Sequence, residues 1–118
     1  MIVGTGIDIV EIARIDKAIK RWGDHFLHHV FVDEEIKYAR QYKNYAQAFA
    51  GRFAAKEAVF KAVLNQSVLS SWRDITILND PSGKPLCRLN DPSFKHTIFL
   101  SISHSDHYAV ASAIITTS

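Results

Sequence analysis

The sequence predicts an α+β fold: one domain over residues 1–118, with a largely antiparallel sheet packed against helices. Three observations carry this. Helical periodicity and alanine-rich stretches crowd between Ile12 and Leu64. The rest of the chain is extended, in β-branched runs separated by Asn-Asp-Pro-Ser turns. An apolar strand precedes everything else, so helices and strands segregate along the chain instead of alternating.

The elements follow in order. The first strand covers Met1 to Ile9, and Val3 to Val10 reads as buried. A helix from Ile12 to Trp22 puts Ile12, Ile15, Ile19 and Trp22 on one face, and Gly23-Asp24 interrupts it. His25 to Val30 suits another turn or two of helix. Asp33-Glu34-Glu35 opens the next one, with acids in the first turn where the helix dipole favours them. A longer helix is predicted over Tyr45 to Leu64, rich in alanine and free of Pro. Strands follow at Ile75 to Leu78, Pro85 to Leu89, His96 to Ser103 and Tyr108 to Thr116. Turns at Asn79 to Gly83 and Asn90 to Ser93 join them.

Composition narrows the function classes. At 118 residues with 47% hydrophobic content the chain can build one core, but a deep cleft in so small a domain often needs a second subunit. A net charge of +2 does not argue for nucleic acid. The single cysteine, Cys87, excludes an internal disulfide and fits a reducing compartment. We expect a cytoplasmic protein: no signal peptide is evident, and no apolar run approaches the ~20 residues of a membrane span. The Asn65-Gln66-Ser67 sequon is then a chance match.

Three segments carry chemistry. In Arg52-Phe53-Ala54-Ala55-Lys56-Glu57-Ala58-Val59-Phe60-Lys61, charges interrupt an apolar helix, and Glu57 and Lys61 share a face. This suits a bound metal and an anionic ligand, or an ordinary ion pair on a solvated edge. Asp8 lies between Ile7 and Ile9, where a buried carboxylate needs a partner or a metal. It also suits the N-cap of the following helix. Gly4-Thr5-Gly6 lacks the further residues of a dinucleotide fingerprint or a P-loop. Toward the C-terminus two strands form a hairpin with Ser103 and His104 near its tip. Their adjacency does not make a catalytic dyad, because neighbouring strand residues face opposite ways. His25, His28 and His29 have helix-face spacing but no complementary ligand, so an exposed helix end suits them better than a metal.

Taken together, Gly6-Ile7-Asp8, Phe53-Ala54-Ala55-Lys56-Glu57-Ala58-Val59-Phe60-Lys61, Ser82-Gly83-Lys84-Pro85 and Ser101-Ile102-Ser103-His104 resemble the acyl-carrier-protein synthase family of 4'-phosphopantetheinyl transferases. The resemblance spans essentially the whole chain. It implies a trimer-forming fold with active sites at subunit interfaces. It also implies a reaction: a serine hydroxyl of an acyl carrier protein attacks the β-phosphorus of coenzyme A, and 3',5'-ADP leaves. Mg2+ on Asp8 and Glu57 would neutralise the pyrophosphate, since it favours one or two carboxylates with phosphate and water. Lys61 would stabilise developing charge. Arg52, Lys84 and His104 are candidates for the remaining coenzyme A phosphates, with Gly83, Lys84 and Pro85 closing over the ligand and Ser103 beside His104. Glu35, Asp8, His104 or a metal-bound water could take the serine proton. Arg14 and Arg21, seven apart with Lys17 between, would form the docking face for an acidic carrier protein; alternatively they are a solvated basic face. Two rivals stand beside this reading. A non-enzymatic nucleotide- or RNA-binding module would want exposed aromatics on the sheet. A small phosphohydrolase would cleave coenzyme A without a protein acceptor.

Overall fold

The computed structural model describes residues 1–64, 67 and 69–117. β1 (Ile2–Glu11) leads into α1 (Ile12–Trp22), α2 (Asp24–Val30), α3 (Asp33–Arg40) and α4 (Tyr45–Ala62). A 3₁₀ turn at Trp72–Asp74 precedes β2 (Ile75–Asn79), β3 (Pro85–Leu89), β4 (Thr97–His104) and β5 (Tyr108–Thr116). Instead of one sheet there are two, both antiparallel: a three-stranded sheet ordered β1-β5-β4 and the β2-β3 hairpin. No helix among the described residues is long and apolar enough to cross a membrane. Asn65 and Gln66 of the sequon lie outside the described residues.

The organising element is α4. Ala54, Ala55, Ala58 and Ala62 pack on the sheet with Leu100, Ala111, Ala113 and Ile115. The opposite side, through Ala46, Phe49 and Ala50, closes a second core with Ile12, Ile15, Leu27, Phe31 and Ile36. Small side chains allow very close approach to β1. A Cβ on Gly6 would lie 2.0 Å from the Ala58 carbonyl oxygen, and one on Gly4 2.0 Å from that of Ala62. The Gly4-Thr5-Gly6 segment is therefore the seat of the helix on the strand.

β1 is not buried on both sides. Its residues alternate, with Ile7 64% and Ile9 63% exposed on the face away from α4. Phe99, Tyr108 and Ile114 are exposed on the same face, set there by the register of β4 and β5. Asp8 points the other way, toward α4. It does not cap α1, whose N-cap position is Glu11 with no side-chain cap.

A buried ion pair crosses the molecule. Lys56 Nζ lies 2.6 Å from Glu35 Oε1, and both side chains are fully buried. The ammonium also donates to the carbonyls of Val30 at 2.8 Å and Trp72 at 3.1 Å. Glu35 accepts from the backbone N–H of Val32 at 2.9 Å and of Ile77 at 2.8 Å. Burial pushes the Lys56 ammonium below its ordinary value, and Glu35 opposes that shift. Each polar atom has a partner, which is what a desolvated pair requires to persist.

Candidate active site

The functional side chains gather on two flanks of α4. On the flank above the edge strand β1, Lys61 Nζ donates to the Ile7 carbonyl at 2.8 Å and to Asp8 Oδ1 at 3.2 Å. The Asp8 side chain is 19% exposed and that of Lys61 55%. Glu57, one turn before Lys61, accepts a hydrogen bond on Oε1 from Trp72 Nε1 at 2.8 Å. Two strand residues advance ~6.6 Å and four helix residues ~6 Å. The seating of Gly4 on Ala62 and Gly6 on Ala58 therefore carries Asp8 to about the level of residue 54, one turn before Glu57. Asp8 and Lys61 thus meet from two rigid elements, and Glu57 lies one turn before Lys61 on the same flank of α4.

On the other flank lies a cleft of about 570 Å³. Tyr38, Tyr42, Lys43 and Asn44 form one wall, Gln47, Ala48, Gly51 and Arg52 of α4 the floor, and Asn79, Gly83, Pro85, Ile102 and His104 the other wall. Arg52 is 5% exposed. Its guanidinium lies 3.9 Å from the Tyr38 ring centroid and donates to Asn79 Oδ1. Its Nε is buried with no hydrogen-bond partner among the described residues. Burial pulls the group below its ordinary pKa, with Tyr38 opposing. A guanidinium nevertheless keeps its charge, so the cleft holds a cation with an unspent donor and no carboxylate among its lining residues.

The cleft wall is tied to Arg52 through Asn79, whose Nδ2 donates to the Gly83 carbonyl at 2.8 Å. Asp80 fastens the same turn, accepting from Ser82 Oγ at 2.6 Å and from Lys84 N at 3.0 Å. These bonds hold the Asp80 carboxyl below its ordinary value, the Ser82 hydroxyl most of all.

Of the residues expected from sequence, Arg52, Gly83, Pro85 and His104 line the cleft. Lys84 is exposed beside it and is not part of the lining. Ser103 and His104 separate, as strand alternation requires. His104 pairs with buried Ala109 on the helix side, and Ser103 pairs with Val110 on the outer face. His104 is the last residue of β4, so the hairpin tip lies beyond it. Glu35 is withdrawn as a proton acceptor, because Lys56 and two backbone N–H groups occupy it in the core. His28 sits 3.5 Å from Asp33, and the His29 ring lies against Trp72. Arg14, Lys17 and Arg21 are exposed on α1. Sequence reasoning missed Tyr38, Tyr42, Lys43, Asn79 and Trp72. Asn79 borders the Gly-Lys-Pro turn and Tyr38 and Tyr42 are one helical turn apart, so both signals were present.

An α+β chain with an Asp8–Lys61 pair on one helix flank and a cleft lined by Lys43, Arg52 and His104 on the other has the charge that a polyanionic ligand requires. The family model of the 4'-phosphopantetheinyl transferase superfamily matches residues 4–113, and the chain belongs to that family. Holo-[acyl-carrier-protein] synthase of Koribacter versatilis is 39% identical over 125 residues, covering 98% of both chains. The enzyme of the same name from Clostridium botulinum strain Eklund 17B is 45% identical over 121 residues, again covering 98% of each. Among solved structures, the Bacillus anthracis holo-(acyl-carrier-protein) synthase in complex with CoA (3',5'-ADP) superposes with a TM-score of 0.85 at 39% identity. That match covers 100% of this chain and 99% of the other.

Proposed function

We infer that this chain transfers the 4'-phosphopantetheine group of coenzyme A to a serine of an apo acyl carrier protein and releases 3',5'-ADP. The observation that carries the reading is the placement of charge on α4. The Asp8–Lys61 pair lies on one flank, and the cleft lined by Arg52 lies on the other. The relatives' names and the coenzyme A complex of the Bacillus anthracis enzyme support the substrates.

The chemistry needs charge control. A pyrophosphate repels an incoming oxygen nucleophile, so rate comes from neutralising and orienting it. Asp8 and Glu57 fit Mg2+: they are hard oxygen ligands on two rigid elements, and the Lys61 ammonium already rests on Asp8 as a cation would. No group of three or more His, Cys, Asp or Glu side chains stands together among the described residues. That suits an ion completed by substrate phosphate and water. When bound, the ion would polarise the pyrophosphate. Lys61 would pass from Asp8 to a phosphate oxygen, and the Arg52 guanidinium supplies positive charge to a further phosphate. Asp8 and His104 are this chain's own candidates for taking the serine proton.

Coenzyme A must meet both flanks, which one helix holds apart. A second copy resolves this, and the exposed Ile7, Ile9, Phe99 and Ile114 face supplies an apolar surface for it. The family resemblance implies that this assembly is a homotrimer, with its sites between chains. Arg14 and Arg21 dock the acidic carrier protein, with Ile12 and Ile15 anchoring α1 on its far side. The reaction belongs to fatty acid biosynthesis in the cytoplasm. The nucleotide- or RNA-binding module is not favoured, because the large exposed aromatics of the sheet's outer face, Phe99 and Tyr108, are too few for a stacking platform.

Mass spectrometry of apo acyl carrier protein incubated with coenzyme A, Mg2+ and this chain tests the reading. We expect one added phosphopantetheine and an equal amount of 3',5'-ADP, with Asp8→Ala nearly inactive. Hydrolysis of coenzyme A with an unmodified carrier protein would refute it.

A further inference from the structure

Glu57 is held by a residue that lies far from it in sequence. Trp72 opens the 3₁₀ turn, and its indole N–H meets Glu57 Oε1 at 2.8 Å. The ring packs between Phe53, with centroids 5.9 Å apart, and His29, at 5.7 Å. The Trp72 carbonyl is fixed separately, accepting from Lys56 Nζ at 3.1 Å, and Lys56 is itself locked by buried Glu35. Backbone and ring are therefore pinned independently, and the N–H has one direction. A partly exposed glutamate on a helix flank otherwise samples several rotamers, whereas this one has Oε1 committed to the indole.

We propose that Trp72 is a positioning residue. Its N–H sets the Glu57 carboxylate in the orientation that binds a divalent cation with Asp8, leaving Oε2 for the ion. The inference rests on the reading above that Asp8 and Glu57 hold that cation. Partners of this kind, which bond to a ligand instead of to the metal, typically govern affinity by about 10–100-fold.

Mn2+ titrated into the full chain with coenzyme A present and no carrier protein, with protein-bound ion measured by electron paramagnetic resonance, tests this apart from turnover. Trp72→Phe keeps an aromatic ring against Phe53 and His29 and loses the donor. It should bind Mn2+ about tenfold more weakly. Benzothienylalanine at position 72, which carries sulfur in place of the N–H, should do the same and serves if Trp72→Phe fails to fold. In a Trp22→Phe background, leaving Trp72 as the sole tryptophan, Mn2+ should quench its fluorescence with the dissociation constant found by resonance. Folded Trp72 variants that bind Mn2+ as tightly as the parent, while Glu57→Ala loses it, would overturn the proposal and leave the metal reading standing. A parent chain that takes up no Mn2+ would overturn both.

Discussion

Arg52 and Glu57 are five residues apart on α4 yet face opposite flanks. Five steps of ~100° turn the helix by ~140° beyond a full circle. Arg52 accordingly reaches Asn79 and the Tyr38 ring, while Glu57 reaches Trp72. Their separation follows from helix geometry and no side-chain rotation removes it. A ligand that needs both groups is therefore served best by two chains.

The Glu35–Lys56 pair should dominate stability, and the Asp8–Lys61 pair should not. Lys56→Ala leaves a carboxylate uncompensated in the core and should cost about 3–5 kcal/mol. Lys61 is 55% exposed, so Lys61→Ala should cost under ~1 kcal/mol. Urea denaturation of the two variants should show midpoints far apart for Lys56→Ala and nearly unchanged for Lys61→Ala. Both variants should transfer poorly, the first through loss of folded protein and the second through lost charge stabilisation.

That contrast also marks how far the sequence was legible. Lys56, Glu57 and Lys61 each break the same apolar run, and composition does not say which of them faces the core. The answer depends on Glu35, which comes from another helix. The helices and strands were readable from period and turn residues, with ends shifted by a residue or two. The division into two sheets was not, because strand pairing is a long-range choice. The motif residues of the cleft were legible as Arg52, Gly83, Pro85 and His104. Trp72 was not, since its bond to Glu57 depends on how the chain returns after α4. Gly4 and Gly6 lack a nucleotide fingerprint in the sequence, and the contact they make with the carbonyls of α4 is tertiary and not legible there.

Cys87 sets an alkaline limit on stability. Burial pushes its thiol from an ordinary 9.0 up to about 12, with Glu35 reinforcing the shift and Lys56 opposing it. A raised folded pKa contributes stability that is fully present below 9.0 and is lost as pH rises toward 12. Chemical denaturation should show a falling midpoint in that window, and Cys87→Ala should flatten this component. At neutral pH iodoacetamide should label Cys87 slowly until denaturant is added.

Docking is expected to be electrostatic. Arg14→Glu with Arg21→Glu should raise KM for carrier protein about tenfold or more and leave KM for coenzyme A nearly unchanged. The parent KM for carrier protein should rise with salt, and the variant's dependence should weaken or invert. Steady-state kinetics with each substrate varied at several ionic strengths would check this. An unchanged carrier-protein KM would place docking elsewhere.

The most direct test of the account mixes two inactive variants. Glu57→Ala spoils one flank of α4 and Arg52→Ala the other. If each active site joins the acid flank of one chain to the arginine cleft of another, unfolding and refolding the two together creates interfaces with both groups intact. Random assembly predicts recovery of about a quarter of parental activity, with neither variant active alone. Equal mixing that yields no activity above the separate variants, with assembly confirmed by sedimentation, would contradict a site shared between chains.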